Sequence, residues 1–113
     1  MTEEGDIKRA ILDALLAAGA FAFRAQAGKV KVRGGWMQLC PAGTPDILVI
    51  VPPTGLLLGL EVKTATGEER ESQLAWAAKV RARGGVVETV RTPQEALAAY
   101  AGALEASKRR GVA

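Results

Sequence analysis

Asp46, Glu61 and Lys63 are the residues of this sequence whose types and spacing can do chemistry. Residues 46–51 and 56–63 are rich in Ile, Leu and Val, flank Pro52-Pro53-Thr54-Gly55, and read as an antiparallel hairpin. If its turn is symmetric about Pro53 and Thr54, Asp46 stands directly opposite Glu61. Directly opposed residues share a face, with Cβ atoms roughly 4.5–5.5 Å apart. Lys63, two residues on from Glu61, shares that face; a one-residue bulge would break the arrangement. Granted the register, two carboxylates and an ammonium converge among apolar neighbours, where charge is costly unless paired or metal-bound. Neighbouring carboxylates repel, and a hard divalent cation relieves the repulsion. Mg2+ takes oxygen ligands, accepting one or two carboxylates and keeping several waters. Water on such an ion becomes more acidic and can attack phosphorus, while the ion offsets charge growing on the phosphate. A lysine can orient that water or neutralise charge in the transition state. The simpler arrangement of the same residues is an ion pair between Lys63 and one acid at a sheet edge, and the three residue types alone favour it.

The elements that must position these residues are legible as hydrophobic periods. Residues 2–18 read as a helix from Ile7, Ile11, Ala14, Leu15 and Ala18, with Thr2 as N-cap and Gly19 as stop. Residues 21–26 read as a short strand. Val30-Lys31-Val32-Arg33 alternates apolar and basic, Gly34-Gly35 turns the chain, and residues 36–39 form another short strand. Residues 40–45, with two prolines and a glycine, are a loop into the central hairpin. A helix is predicted over residues 68–83, acidic in its first turn and basic at its end, which suits the helix dipole. Gly84-Gly85 stops it, residues 86–90 are a strand, and Pro93 opens a last helix through Ala103 that leaves a frayed Lys-Arg-Arg tail. The order is helix, strands, helix, strand, helix, without internal repeat or long linker. The fold class this implies is α/β, a small mixed β-sheet flanked by helices, with residues 1–113 as one domain.

Composition narrows the chemistry. Apolar residues make up 49% of the chain and aromatics 4%, so the core is built from Ala, Val, Leu and Ile. The sequence has no histidine, which excludes a Ser-His-Asp triad and a His-rich zinc site. The one cysteine, Cys40, lacks an activating histidine and reads as a small packing residue. Net charge is +3, but its distribution says more. No acid lies between Asp13 and Asp46, where Arg24, Lys29, Lys31 and Arg33 fall. Lys79, Arg81, Arg83 and Arg91 form a second basic set. Basic stretches around one acidic pair point to an anionic partner such as nucleic acid, with a phosphate backbone tracked by the Arg24–Arg33 stretch. Trp36 and Trp76 could stack on bases, yet both are expected in the core. No apolar run reaches the roughly 20 residues of a membrane span. The N-terminus is acidic, unlike a signal peptide. The expectation is a soluble, intracellular protein.

Gly43-Thr44-Pro45-Asp46, the turn, and Leu60-Glu61-Val62-Lys63 resemble the PD-(D/E)XK nuclease signature. More narrowly, the chain is similar to the small VRR-NUC branch of that superfamily. An acid opens the first helix, Gly59 precedes the Leu-Glu-Val-Lys segment, and Gly67, Gln73, Gly84-Gly85 and Thr92-Pro93-Gln94-Glu95-Ala96 follow in the family's order. The two core motifs alone are weak, and the glycines, the glutamine and the element order make the match fairly specific over nearly the whole chain.

The resemblance implies a restriction-endonuclease-like core and hydrolysis of DNA phosphodiester bonds with Mg2+ or Mn2+. It makes Asp46 and Glu61 metal ligands, with the backbone carbonyl of Val62 as a third, and Lys63 the assistant of the attacking water. Gln73 would lie over the site from its helix. Glu4 would complete the acidic cluster through a water, with Glu3 and Asp6 as competitors for that role. All three acids also suit a first helical turn for their charge alone. Stand-alone members of the family imply a homodimer cutting branched DNA such as four-way junctions, and two symmetric sites suit two symmetric nicks. So small a core has few elements with which to read base sequence. Two other classes stay open: a catalytically silent nucleic-acid-binding module of the same fold, and a structural protein whose hairpin charges are an ion pair. Metal-induced stabilisation separates a nuclease from the ion pair.

Overall fold

The structure, a computed structural model, describes residues 3–64 and 70–111. Its elements run α1 (Glu3–Ala17), β1 (Phe21–Arg24), β2 (Lys29–Val32), β3 (Gly35–Gln38), β4 (Ile47–Val51), β5 (Leu56–Val62), α2 (Glu71–Ala82), β6 (Val86–Val90) and α3 (Pro93–Gly111). The main sheet has the order β1-β4-β5-β6. β1/β4 and β4/β5 are antiparallel and β5/β6 is parallel, so the sheet is mixed, as the sequence predicts. A parallel neighbour requires a crossover connection, and α2 lies in it. Thr2, Thr66, Gly67, Glu68 and the side chain of Glu3 lie outside the described residues. With them go the expected N-cap of α1 and the expected start of α2.

One face of the sheet packs on α1 and α3. Ile47, Val49 and Val51 of β4 and Leu58 and Leu60 of β5 are fully buried, in one cluster with Ile11 and Leu15 of α1 and Ala96, Tyr100 and Ala103 of α3. Each such aliphatic side chain contributes about 1.5–3 kcal/mol over an exposed one. β4 alternates buried and half-buried residues, whereas β5 is buried along almost its whole length. A central strand covered on both sides reads as a continuous apolar run for this reason. α2 covers the opposite face. A Cβ at Gly59 would sit 2.9 Å from Pro45 Cγ and 3.3 Å from the Trp76 ring, so the bare backbone admits both neighbours.

The hairpin has the register that the symmetric turn predicts, Ile47 opposite Leu60 through Val51 opposite Leu56. One step outward, Asp46 faces Glu61. Two expectations are corrected. The last helix does not end at Ala103. Ser107 is fully buried and Leu104 and Ala106 are partly buried, so the buried stripe continues at helical spacing to Ser107 and the helix itself to Gly111. Ser107 Oγ donates to the Val51 carbonyl and accepts from Thr54 N–H, tying the helix to the hairpin turn. Lys108, Arg109 and Arg110 are helical, where their charge suits the C-terminal dipole, and Arg110 donates to the Gly84 carbonyl. Trp36 is not in the core: it is 67% exposed, because β2 and β3 pair only with each other, in a two-stranded sheet apart from the main one. Trp76 is half-buried over Gly59, outside the core cluster. Cys40 is half-buried at a bridge to Ala27. Among the described residues no helix is long and apolar enough to cross a membrane.

Candidate functional site

The loop before β4 is built to hold Asp46 still. Thr44 donates to the Pro41 carbonyl through both its N–H (3.1 Å) and its Oγ1 (2.7 Å), and Pro45 is fully buried. Gly43 has φ +89°, and a Cβ there would collide with the Ser72 carbonyl at the start of α2. Only glycine combines this backbone region with so close an approach. The same contact docks the first turn of α2 beside Asp46. The Asp46 side chain reaches across the hairpin, its Oδ2 accepting from Val62 N–H at 2.9 Å. On the other strand, Lys63 N–H donates to the Val90 carbonyl, and Arg91 Nε donates to the Thr64 carbonyl. These bonds carry β5 straight past its pairing with β4 and fix where Lys63 begins.

The two carboxyl groups are close enough to shift each other's titration. Glu61 is only 6% exposed. Burial, then the hydrogen bond and the negative charge of Asp46, raise its pKa to about 8, against the pull of Lys63 and Lys8. Asp46 moves the other way. Burial opposes its ionisation, but hydrogen bonds from Glu61, Val62 N–H and Lys8 hold it below the usual carboxylate range. Two adjacent carboxyls separate their titrations in this way, Glu61 keeping its proton to higher pH than Asp46.

Lys8 is the residue that sequence reasoning missed. Its Nζ lies 3.0 Å from Asp46 Oδ1 and 3.1 Å from Glu4 Oε2. Burial alone would lower its pKa, but these two partners raise it overall. The sequence shows only that Lys8 follows Glu4 by one helical turn, a common surface pairing. Among the described residues Lys63 makes no ion pair, so Lys8, not Lys63, is the counter-ion of Asp46.

Asp46, Glu61, Lys63, Gln73, Glu4 and Arg24 all line one open cleft of about 550 Å3, together with Lys8 and Arg70. Gln73 enters from the first turn of α2, where its Oε1 accepts from Arg70 N–H at 2.8 Å. Of the acids near the start of α1, Glu4 lines the cleft and Asp6 does not. Lys29, Lys31 and Arg33 lie outside it on the β2–β3 hairpin. Arg70 and Lys8 add cations that the sequence reading did not place here.

Among the described residues no three His, Cys, Asp or Glu side chains gather into a metal cage. The donor set is two neighbouring carboxyl groups, all of whose donors are oxygen. That set suits a hard ion taking one or two carboxylates and keeping its waters, and does not suit zinc.

The fold is similar to that of a solved structure described as "VRR_NUC domain". The two are 24% identical over 87% of this chain and 94% of the other, with a TM-score of 0.61. The chain thus has the fold of a VRR-NUC domain, which the sequence motifs imply. Neither a protein-family model nor a curated protein matches this sequence.

Proposed function

We propose that this chain is a divalent-metal-dependent nuclease that hydrolyses DNA phosphodiester bonds, acts on branched DNA such as four-way junctions, and works as a homodimer. The observation that carries the reading is the placement of Asp46 and Glu61 side by side in a cleft whose remaining charges are largely cationic. Arg24, Lys63 and Arg70 line that cleft, where a phosphodiester would bring them an anion. The fold likeness and the sequence motifs support the same reading.

Asp46 and Glu61, with the Val62 carbonyl, would hold Mg2+ or Mn2+. When bound, the ion supplies charge that acidifies a water and neutralises the phosphate in the transition state. The chain's own groups do the rest. Arg24 and Arg70 hold the phosphate in the cleft. Gln73 and Lys63 orient the attacking water, and the Lys63 ammonium offsets charge that grows as its oxygen bonds to phosphorus. The attacking water gives up a proton to solvent, the bond from phosphorus to the leaving oxygen breaks, and that oxygen takes a proton from solvent. Glu4 and Lys8 close the acidic side of the cleft.

The test is cleavage of labelled linear, flapped, nicked and four-way-junction DNA with Mg2+ or Mn2+ and with chelator. The expected result is metal-dependent cutting, preferentially of branched forms, by a species that sediments as a dimer. Asp46→Asn and Glu61→Gln should abolish cutting and metal-induced stabilisation while staying folded. Cutting by either variant at saturating Mn2+ would refute this site. Metal-insensitive binding of DNA by the wild type, with no cutting of any form, would make the chain a silent binding module instead.

A further inference from the structure

The β2–β3 hairpin supplies nothing to the core. None of its strand residues is buried, and it pairs with no strand of the main sheet. Yet its base is stitched firmly: Gly28 N–H to the Cys40 carbonyl at 2.9 Å, Leu39 N–H to the Gly28 carbonyl at 2.8 Å, and Cys40 N–H to the Gln26 carbonyl at 2.9 Å. Arg24 and Gln26, just before that base, line the cleft. The hairpin is thus an arm springing from the rim of the site.

Its register sorts the side chains. Lys29 faces Gln38 and Lys31 faces Trp36, so these four share one face, while Val30, Val32 and Met37 occupy the other. Arg33 stands at the tip. An indole 67% exposed directly across from a lysine does nothing for folding. Cations interleaved with an aromatic on a projecting ribbon match the two surfaces of a nucleic acid, its phosphates and its base faces. Four strand residues at about 3.3 Å each give about 13 Å of reach, and a two-stranded ribbon fits a duplex groove.

We propose that this arm grips DNA beside the cleft, with Lys29, Lys31 and Arg33 on phosphates and Trp36 stacked on a base whose face is uncovered. In continuous duplex every base face is covered by its neighbours. At a junction, flap or single strand some are open. Trp36 therefore favours DNA whose stack is interrupted, and the three cations favour all DNA equally. This rests on the nuclease reading and specifies what selects its substrate.

The test is fluorescence anisotropy of the full chain in chelator, so that no cutting occurs, on continuous duplex, single strand and a four-way junction. Trp36→Ala should weaken junction and single-strand binding by about tenfold and leave duplex binding nearly unchanged. Trp36→Phe, which keeps an aromatic face, should restore most of the loss. Lys29→Gln/Lys31→Gln/Arg33→Gln together should weaken every form and lower the log–log salt slope by about one unit per lost contact. Because these side chains are exposed, melting temperatures should match the wild type, which confirms that the variants fold. Equal loss on duplex and junction in Trp36→Ala, or no loss, overturns the proposal. So does a change in sedimenting mass without a change in DNA affinity, which would make the arm a contact between copies of the chain, and so does wild type that binds no DNA. Cutting by the wild type with unchanged Trp36→Ala binding would sink the arm and leave the nuclease reading. Trp36-dependent binding without cutting would do the reverse.

Discussion

Lys8 Nζ bridges Asp46 Oδ1 at 3.0 Å and Glu4 Oε2 at 3.1 Å, joining the first turns of α1 to the head of β4. An internal ammonium thus occupies the side of the carboxyl pair from which a cation would draw charge. Lys8→Met keeps the aliphatic stem and removes that charge. The metal-free protein should lose about 1–3 kcal/mol, because two carboxylates lose a charged hydrogen-bond partner. Divalent ions should then bind more tightly, since a repelling charge has gone. Thermal melts against Mn2+ concentration read both effects, as stabilisation follows RT ln(1 + [L]/Kd). Unchanged or weaker Mn2+ affinity would mean that Lys8 does not oppose the cation.

Glu61 makes stability depend on pH. Its native pKa is about 8, against an ordinary 4.5. Between those values the native state keeps a proton that the unfolded chain has released, so stability falls as pH rises through that window. The slope is at most about 1.4 kcal/mol per pH unit. Asp46, held below its ordinary value, contributes stability that is lost only as pH drops below the usual carboxylate range. Glu61→Gln has no proton to lose. Its melting temperature should stay nearly level from pH 5 to 8, about the span set by the ordinary and native values, while that of metal-free wild type declines. Parallel curves for the two proteins would show that Glu61 is not the titrating group.

Lys63 separates catalysis from structural pairing. Its strand end is fixed by backbone hydrogen bonds, and no ion pair among the described residues holds its ammonium. Lys63→Ala should therefore leave the melting temperature close to wild type. Under the nuclease reading it should lower kcat by orders of magnitude with little change in DNA or metal affinity, the signature of a contact made mainly in the transition state. A loss on the order of 3–5 kcal/mol in stability, the cost of breaking a buried pair, would instead support the structural role.

Gly43 links the loop to α2. Gly43→Ala meets both the positive φ and the Ser72 carbonyl, and should cost about 2–4 kcal/mol. Gly55→Ala has a similar φ, +80°, but open space around its Cβ, and should cost only about 1–2 kcal/mol. Denaturant melts of the two variants isolate the contact. Equal costs would mean that α2 yields easily at its first turn.

The hairpin and the register of its charged residues were legible because they obey local rules. Alternation puts Asp46, Glu61 and Lys63 on one face whatever surrounds them, and a turn symmetric about Pro53 and Thr54 sets the register without outside help. The mixed sheet and its flanking helices followed from periodicity and order in the same way. What the sequence left open depends on contacts between distant segments. Lys8 reads as a surface partner of Glu4 until α1 is packed against β4 and meets Asp46. The last helix reads as ending at Ala103 before a frayed Lys-Arg-Arg tail until the hairpin turn receives Ser107 and the stripe on α3 finds something to bury against. Trp36 reads as core because an indole gains most from burial, and only the tertiary structure shows a ribbon with no layer above it. Period and turn geometry are written in neighbouring residues. Which face is covered, and which charge meets which, is decided by packing between elements far apart in the chain.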